Sequence, residues 1–166
     1  MRKTKKLVFM ALLTAIALTI FVIENQIPAP VPIPGVKLGL ANIITLVTML
    51  LLGKKEAGAV LLMRVVMGAM FAGSPSTLLF SAAGGLLAYL AMCLTVSRFD
   101  ERQLWIVSAL AALAHNAGQL GTCALVVKTP GILAYAPILA VSGVITGVFT
   151  GFAAMYLVRA LRNARN

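Results

Sequence analysis

Six apolar runs, separated by short clusters of polar, proline or glycine residues, make up most of the chain. They cover about residues 7–23, 38–52, 56–71, 77–96, 104–127 and 137–158. A helix rises 1.5 Å per residue, so roughly 20 residues cross a bilayer core of about 30 Å. Six transmembrane helices in one membrane domain over residues 1–166 are predicted. The second and third runs are short, so tilting or snorkelling lysines must make up the difference. Between the first two runs, Pro28, Pro30, Pro32 and Pro34 alternate with apolar residues. Prolines at that spacing exclude a helix and favour a stiff extended loop. The first run follows a basic start, as in a signal peptide, but no small-x-small cleavage site comes after it, and it reads as a retained helix.

Composition turns that pattern into a statement about solvent. Hydrophobic residues are 61% of the 166 positions and charged residues only 11%, too few to cover a soluble globule. The net charge of +10 would suggest nucleic acid in a soluble protein. Here, however, the basic residues sit at the ends of apolar runs without interleaved aromatics, which excludes a nucleic-acid interface and leaves a topological signal. With the N-terminus inside, Arg2, Lys3, Lys5, Lys6, Lys54, Lys55, Arg98, Arg102, Arg159, Arg162 and Arg165 lie on the cytoplasmic side. Lys37 and Lys128 alone lie outside. That bias predicts a multi-pass protein of a cytoplasmic membrane with both termini in the cytoplasm. Cys93 and Cys123 fall in different runs at different depths, so neither a disulfide nor a metal pair is expected.

Three features mark the apolar runs, two of them polar. Arg64 lies eight residues into the third run, about 12 Å deep. Exposing it to lipid would cost about 2.5–3.5 kcal/mol, so its guanidinium must point into the bundle. It pairs there with carbonyls or an amide, or it meets a ligand. Of the carboxylates, Glu56, Asp100 and Glu101 are cytoplasmic and only Glu24 lies toward the outer side, so Arg64 is left without an evident counter-charge and an anionic ligand is expected. His115, Asn116 and Gln119 form the second feature, with His115 and Gln119 on one helix face. They are either helix-to-helix hydrogen bonds or part of a site. Asn42, Lys37 and Lys128 extend this set outward, outlining a cationic cavity.

Small residues are the third feature. Ala11 and Ala15 are one turn apart, and Gly143, Gly147 and Gly151 make two consecutive Gly-x-x-x-Gly steps, spacings that let helices approach closely. The glycines serve packing inside the bundle or a contact between copies. Catalytic signals are lacking. A prenyl or phosphoryl transferase of the usual kind needs clustered acids for Mg²⁺, and the chain has one aspartate, Asp100. No phosphate-binding Gly-x-x-x-x-Gly-Lys-Ser/Thr loop occurs. No metal or other cofactor is expected, and the chain reads as a non-enzyme.

The stretch Pro28-Ala-Pro-Val-Pro-Ile-Pro-Gly35-Val-Lys37-Leu-Gly-Leu-Ala-Asn42, with Arg64 and Ala114-His115-Asn116-Ala-Gly118-Gln119, resembles a membrane family known as Gx transporters or heptaprenyl diphosphate synthase component I. The layout also resembles the substrate-binding S components of energy-coupling factor transporters. That second resemblance implies a six-helix bundle, an outer loop closing over the substrate (here residues 24 to 37), and docking of Ala11 and Ala15 on a membrane scaffold subunit. It further implies two ATP-binding partner subunits.

The expected function is therefore a substrate-capture subunit for uptake of a small anionic or amphipathic molecule, isoprenoid- or quinone-related. Lys37, Asn42, Arg64, His115, Asn116 and Gln119 would bind it beneath a lid of residues 28 to 37. The alternative is a non-catalytic membrane component of heptaprenyl diphosphate synthase or the isoprenoid-quinone pathway. A self-contained channel or carrier, with Gly143, Gly147 and Gly151 at a homodimer contact, is a third reading.

Overall fold

A computed structural model describes residues 3–27, 37–72, 75–128 and 130–163. Six α-helices follow in order: α1 Lys3–Glu24, α2 Asn42–Leu51, α3 Lys54–Ala72, α4 Pro75–Thr95, α5 Leu104–Val127 and α6 Ala136–Asn163. Short 3-10 turns at Glu101–Gln103 and Pro130–Tyr135 lead into α5 and α6. No strand occurs among the described residues. Pro75 opens α4 at the position where a missing N–H costs nothing. Among the described residues, four segments are long and apolar enough to cross a membrane: Lys3–Glu24, Pro75–Thr95, Glu101–Val127 and Gly131–Asn163. Their outer surfaces are apolar, with Leu125 79%, Phe149 69% and Leu7 65% exposed. A surface of that kind belongs in lipid rather than water. Most of the proline loop, residues 28–36, lies outside the described residues.

The second helix departs most from expectation. A run over 38–52 was expected, but α2 begins only at Asn42 and has ten residues, which span about 15 Å, half a bilayer core. Residues 37–41 form instead a non-helical entry and a tight turn, with Asn42 N–H donating to Gly39 O at 3.0 Å and Ile43 N–H to Leu40 O at 3.1 Å. Gly39 has φ +77°, a conformation that costs a side chain strain and a glycine nothing. At the other end Gly53 (φ +113°) turns the chain straight into α3.

α2 is nevertheless the hub, in contact with each of the other five helices. Its Leu46, Val47 and Met49 pack with Ala57 of α3, Ala88 and Met92 of α4, Val107 and Ala111 of α5, and Ala154 and Val158 of α6. This apolar core fills only the half of the bundle that α2 occupies. Around α2, α5 packs closely against both α4 and α6. A Cβ on Gly118 would lie 2.8 Å from Ala83 O of α4, and one on Gly147 2.5 Å from Ala109 Cα. One on Gly151 would lie 2.4 Å from Trp105 Cα. The glycine series of α6 therefore serves packing inside the bundle, against α5, and the homodimer contact considered for it is not where these residues point. Ser108 and Thr150 add a hydrogen bond of 2.9 Å across the same seam.

Candidate functional site

At the N-terminus of α2, buried polar side chains meet inside the bundle. The hairpin made by α2 and α3 explains why Asn42 and Arg64 meet there. Gly53 is eleven residues from each, so chain leaving Asn42 down α2 returns up α3 to the same height at Arg64. Arg64, only 3% exposed, donates from Nη2 to Asn42 Oδ1 at 3.3 Å. Since Arg64 has only donors, this sets the Asn42 amide with its nitrogen toward His115 Nδ1, 3.1 Å away. His115 Nδ1 then accepts, and its proton sits on Nε2. Gln119, one turn along α5, accepts the backbone N–H of Lys37 at 3.0 Å through Oε1.

Glycines make the space for this arrangement. A Cβ on Gly39 would stand 2.9 Å from His115 Cδ2, and one on Gly84 of α4 2.8 Å from His115 Nδ1, so the imidazole lies between two positions with no side chain. A Cβ on Gly85 would stand 3.2 Å from Arg64 Nη2. Gly39→Ala is expected to destabilise the protein by roughly 1–3 kcal/mol, adding left-handed backbone strain to the contact with His115. Thermal unfolding in detergent checks it, and a midpoint equal to wild type would mean that the ring moves away freely.

Glu24, at the end of α1, was not among the expected site residues, yet it lies beside them. It is 4% exposed and accepts the Gly39 N–H at 2.5 Å, with the Leu40 N–H as a second donor. A carboxylate there complements the positive end of α2. It also interacts electrostatically with Arg64 and Lys37, which corrects the expectation that Arg64 has no counter-charge. Two cations still face one carboxylate, so a positive charge is left over. Lys37 lies outside the helices, with Nζ 3.8 Å above the Phe21 ring.

Not every expected residue joins the cluster. Asn116 points the other way, donating from Nδ2 to Leu139 O of α6 at 2.7 Å. Lys128 is exposed at the C-cap of α5 in a left-handed conformation (φ 53°). Ala11 and Ala15 are exposed on α1, away from the cluster. Asn42, Arg64, His115 and Gln119 are each 7% exposed or less.

Several buried donors are left over. Lys37 Nζ, Arg64 Nε and His115 Nε2 have no hydrogen-bond partner among the described residues; Asn116 Oδ1 is an acceptor in the same condition. Buried polar atoms without partners are uncommon and costly, and three donors beside a surplus positive charge match the needs of an anion. The four carboxylates do not come together at one site. Glu24 is bound to the turn before α2, Glu56 pairs with Lys6, Glu101 pairs with Arg162, and the Asp100 backbone N–H meets the Gln103 side chain. No group of three potential metal ligands occurs among the described residues.

No curated protein and no solved structure matches this chain. A family described as heptaprenyl diphosphate synthase component I matches residues 13–157, a span that takes in the whole cluster and parts or all of the six helices. The chain belongs to the heptaprenyl diphosphate synthase component I family.

Proposed function

We propose that this chain is a non-catalytic membrane component of a heptaprenyl diphosphate synthase, or of the isoprenoid-quinone pathway around it, and that it binds an anionic, partly apolar molecule. The reading is carried by the Arg64–Asn42–His115 cluster, a buried cationic site with unpartnered donors in a chain of that family. Dispersed carboxylates leave catalysis to a partner that can hold Mg²⁺. In this proposal all six helices cross the cytoplasmic membrane, α2 together with its entry segment, and both termini are cytoplasmic. The ion pairs Lys6–Glu56 and Glu101–Arg162, and the bond from Lys54 Nζ to Cys93 O at 2.8 Å, support one shared end for the segments assigned to the cytoplasm.

An S-component-like uptake subunit is the second reading, favoured by the exposure of Ala11 and Ala15 on α1. Capture of the tagged chain from native membranes separates the two. The first reading expects a prenyl synthase catalytic subunit in the complex, and higher synthase activity when that subunit is added to vesicles carrying the chain. Recovery of scaffold and ATP-binding subunits, with synthase activity unchanged, overturns it in favour of uptake.

A further inference from the structure

The seam between α1 and α3 is open to the outside along much of its length. Ala11 and Ala15 of α1 face Ala59, Met63 and Met67 of α3 across a groove of about 350 Å³. From Leu7 to Leu18 it follows α1 for roughly 16 Å. Its walls are apolar even at Thr14, whose hydroxyl donates to Met10 O at 2.9 Å. Toward the start of both helices the groove changes character. Leu7 and Met10 also line a second pocket, whose other walls include Lys3, Lys6, Lys55 and Glu56. Since Glu56 pairs with Lys6, that end keeps a surplus of two positive charges.

An apolar trough ending in a basic pocket fits an amphiphile with an anionic head. One trough takes one chain, so a two-chain phospholipid would leave a chain outside. A surplus of two charges suits a diphosphate better than a singly charged phosphodiester. We infer that the α1–α3 groove holds a single-chain lipid diphosphate, its chain along Ala11, Ala15 and Met63 and its head between Lys3, Lys6 and Lys55. The isoprenoid nature of the chain rests on the prenyl-diphosphate reading above; the groove and its basic end do not. This site is separate from the Arg64 cluster, which lies inside the bundle.

Native mass spectrometry of the detergent-purified protein tests it with geranylgeranyl diphosphate as the probe and a two-chain phosphatidylglycerol as competitor. Wild type is expected to bind the diphosphate at least tenfold more tightly than the phospholipid. Lys3→Gln/Lys6→Gln/Lys55→Gln and, separately, Ala15→Trp are each expected to weaken diphosphate binding at least tenfold. Lys128→Gln, which removes a charge from the opposite end, is expected to bind as wild type does. All these positions are at the surface, and Ala15→Leu provides a milder block should the tryptophan disturb folding. Equal binding of the two lipids, undiminished binding in the groove variants, or equal weakening by Lys128→Gln overturns the proposal. A single-chain alkyl diphosphate that binds as the prenyl one does keeps the site and removes its isoprenoid preference. Binding is read on the chain alone, so the result is independent of whether a synthase subunit is captured.

Discussion

Gly147→Ala/Gly151→Ala is expected to force α6 away from α5 and to cost the protein roughly 3 kcal/mol or more of stability. The added methyls would lie 2.5 Å and 2.4 Å from the Cα atoms of Ala109 and Trp105. These are backbone atoms and cannot swing aside as a side-chain end does, so a helix must shift. Overpacking of this kind costs about 1–3 kcal/mol per site, and more where backbone is the obstacle. The shift would also pull apart the Ser108–Thr150 hydrogen bond. Gly121→Ala is the control, since a Cβ there meets nothing within 4 Å. It is expected to be neutral or to stabilise by up to about 1 kcal/mol, as alanine is the better helix former. Equilibrium unfolding in mixed micelles compares the two. Equal stability of the double variant and the control would mean that α5 and α6 are not held at this distance.

Arg64→Met is expected to cost about 3–5 kcal/mol, the usual penalty for removing one partner from a buried charge arrangement. It leaves the Glu24 carboxylate buried with only Lys37 as a counter-charge, and it takes the donor from Asn42 Oδ1. Arg64→Met/Glu24→Gln removes the orphaned charge as well and is expected to be more stable than Arg64→Met. A double-mutant cycle should therefore show coupling of about 0.5–3 kcal/mol. Additive effects, with Arg64→Met costing under about 1 kcal/mol, would show that Glu24 does not compensate Arg64 and that its charge is wholly available to a ligand.

Much of this fold can be read from apolar run length, because a helix in lipid must satisfy its own backbone and advertises itself by composition. The six helices follow from that. What run length does not convey is where helix begins within an apolar stretch. Lys37 to Ala41 is as apolar around its lysine as a helix start would be, yet Gly39 takes a left-handed conformation and its N–H goes to Glu24. Arg64, Asn42, His115 and Gln119 were recognisable as site residues because each is polar inside a run. Asn116 was recognisable too, but a neighbour in sequence lies about 100° around a helix, and that rotation sends it to α6 instead. Glu24 was placed toward the outer side, at the end of a run, and not counted as a partner of Arg64. Its partners are backbone N–H groups 15 and 16 residues later, and side-chain pattern carries no trace of them. Nothing in the sequence pattern marks the Gly84–Gly85 pair as part of the site. Its role beside His115 and Arg64 depends on the register of α4, which one sequence does not fix.

The brevity of α2 bears on how the protein enters the membrane during synthesis. A ten-residue helix about 15 Å long cannot span the bilayer, so it has no stable place in lipid by itself. If all six helices cross the membrane as proposed, α2 goes in joined to α3 as a hairpin bent at Gly53, and α3 brings Arg64 with it. Asn42 reaches the guanidinium within that same hairpin, so one of the partners that lower the cost of Arg64 in lipid travels with it. Glu24 precedes both on the nascent chain and is available before Arg64 emerges. On that topology the order of the residues along the chain would deliver the carboxylate, the amide and the cation in the sequence that spares the cation a solitary passage through lipid.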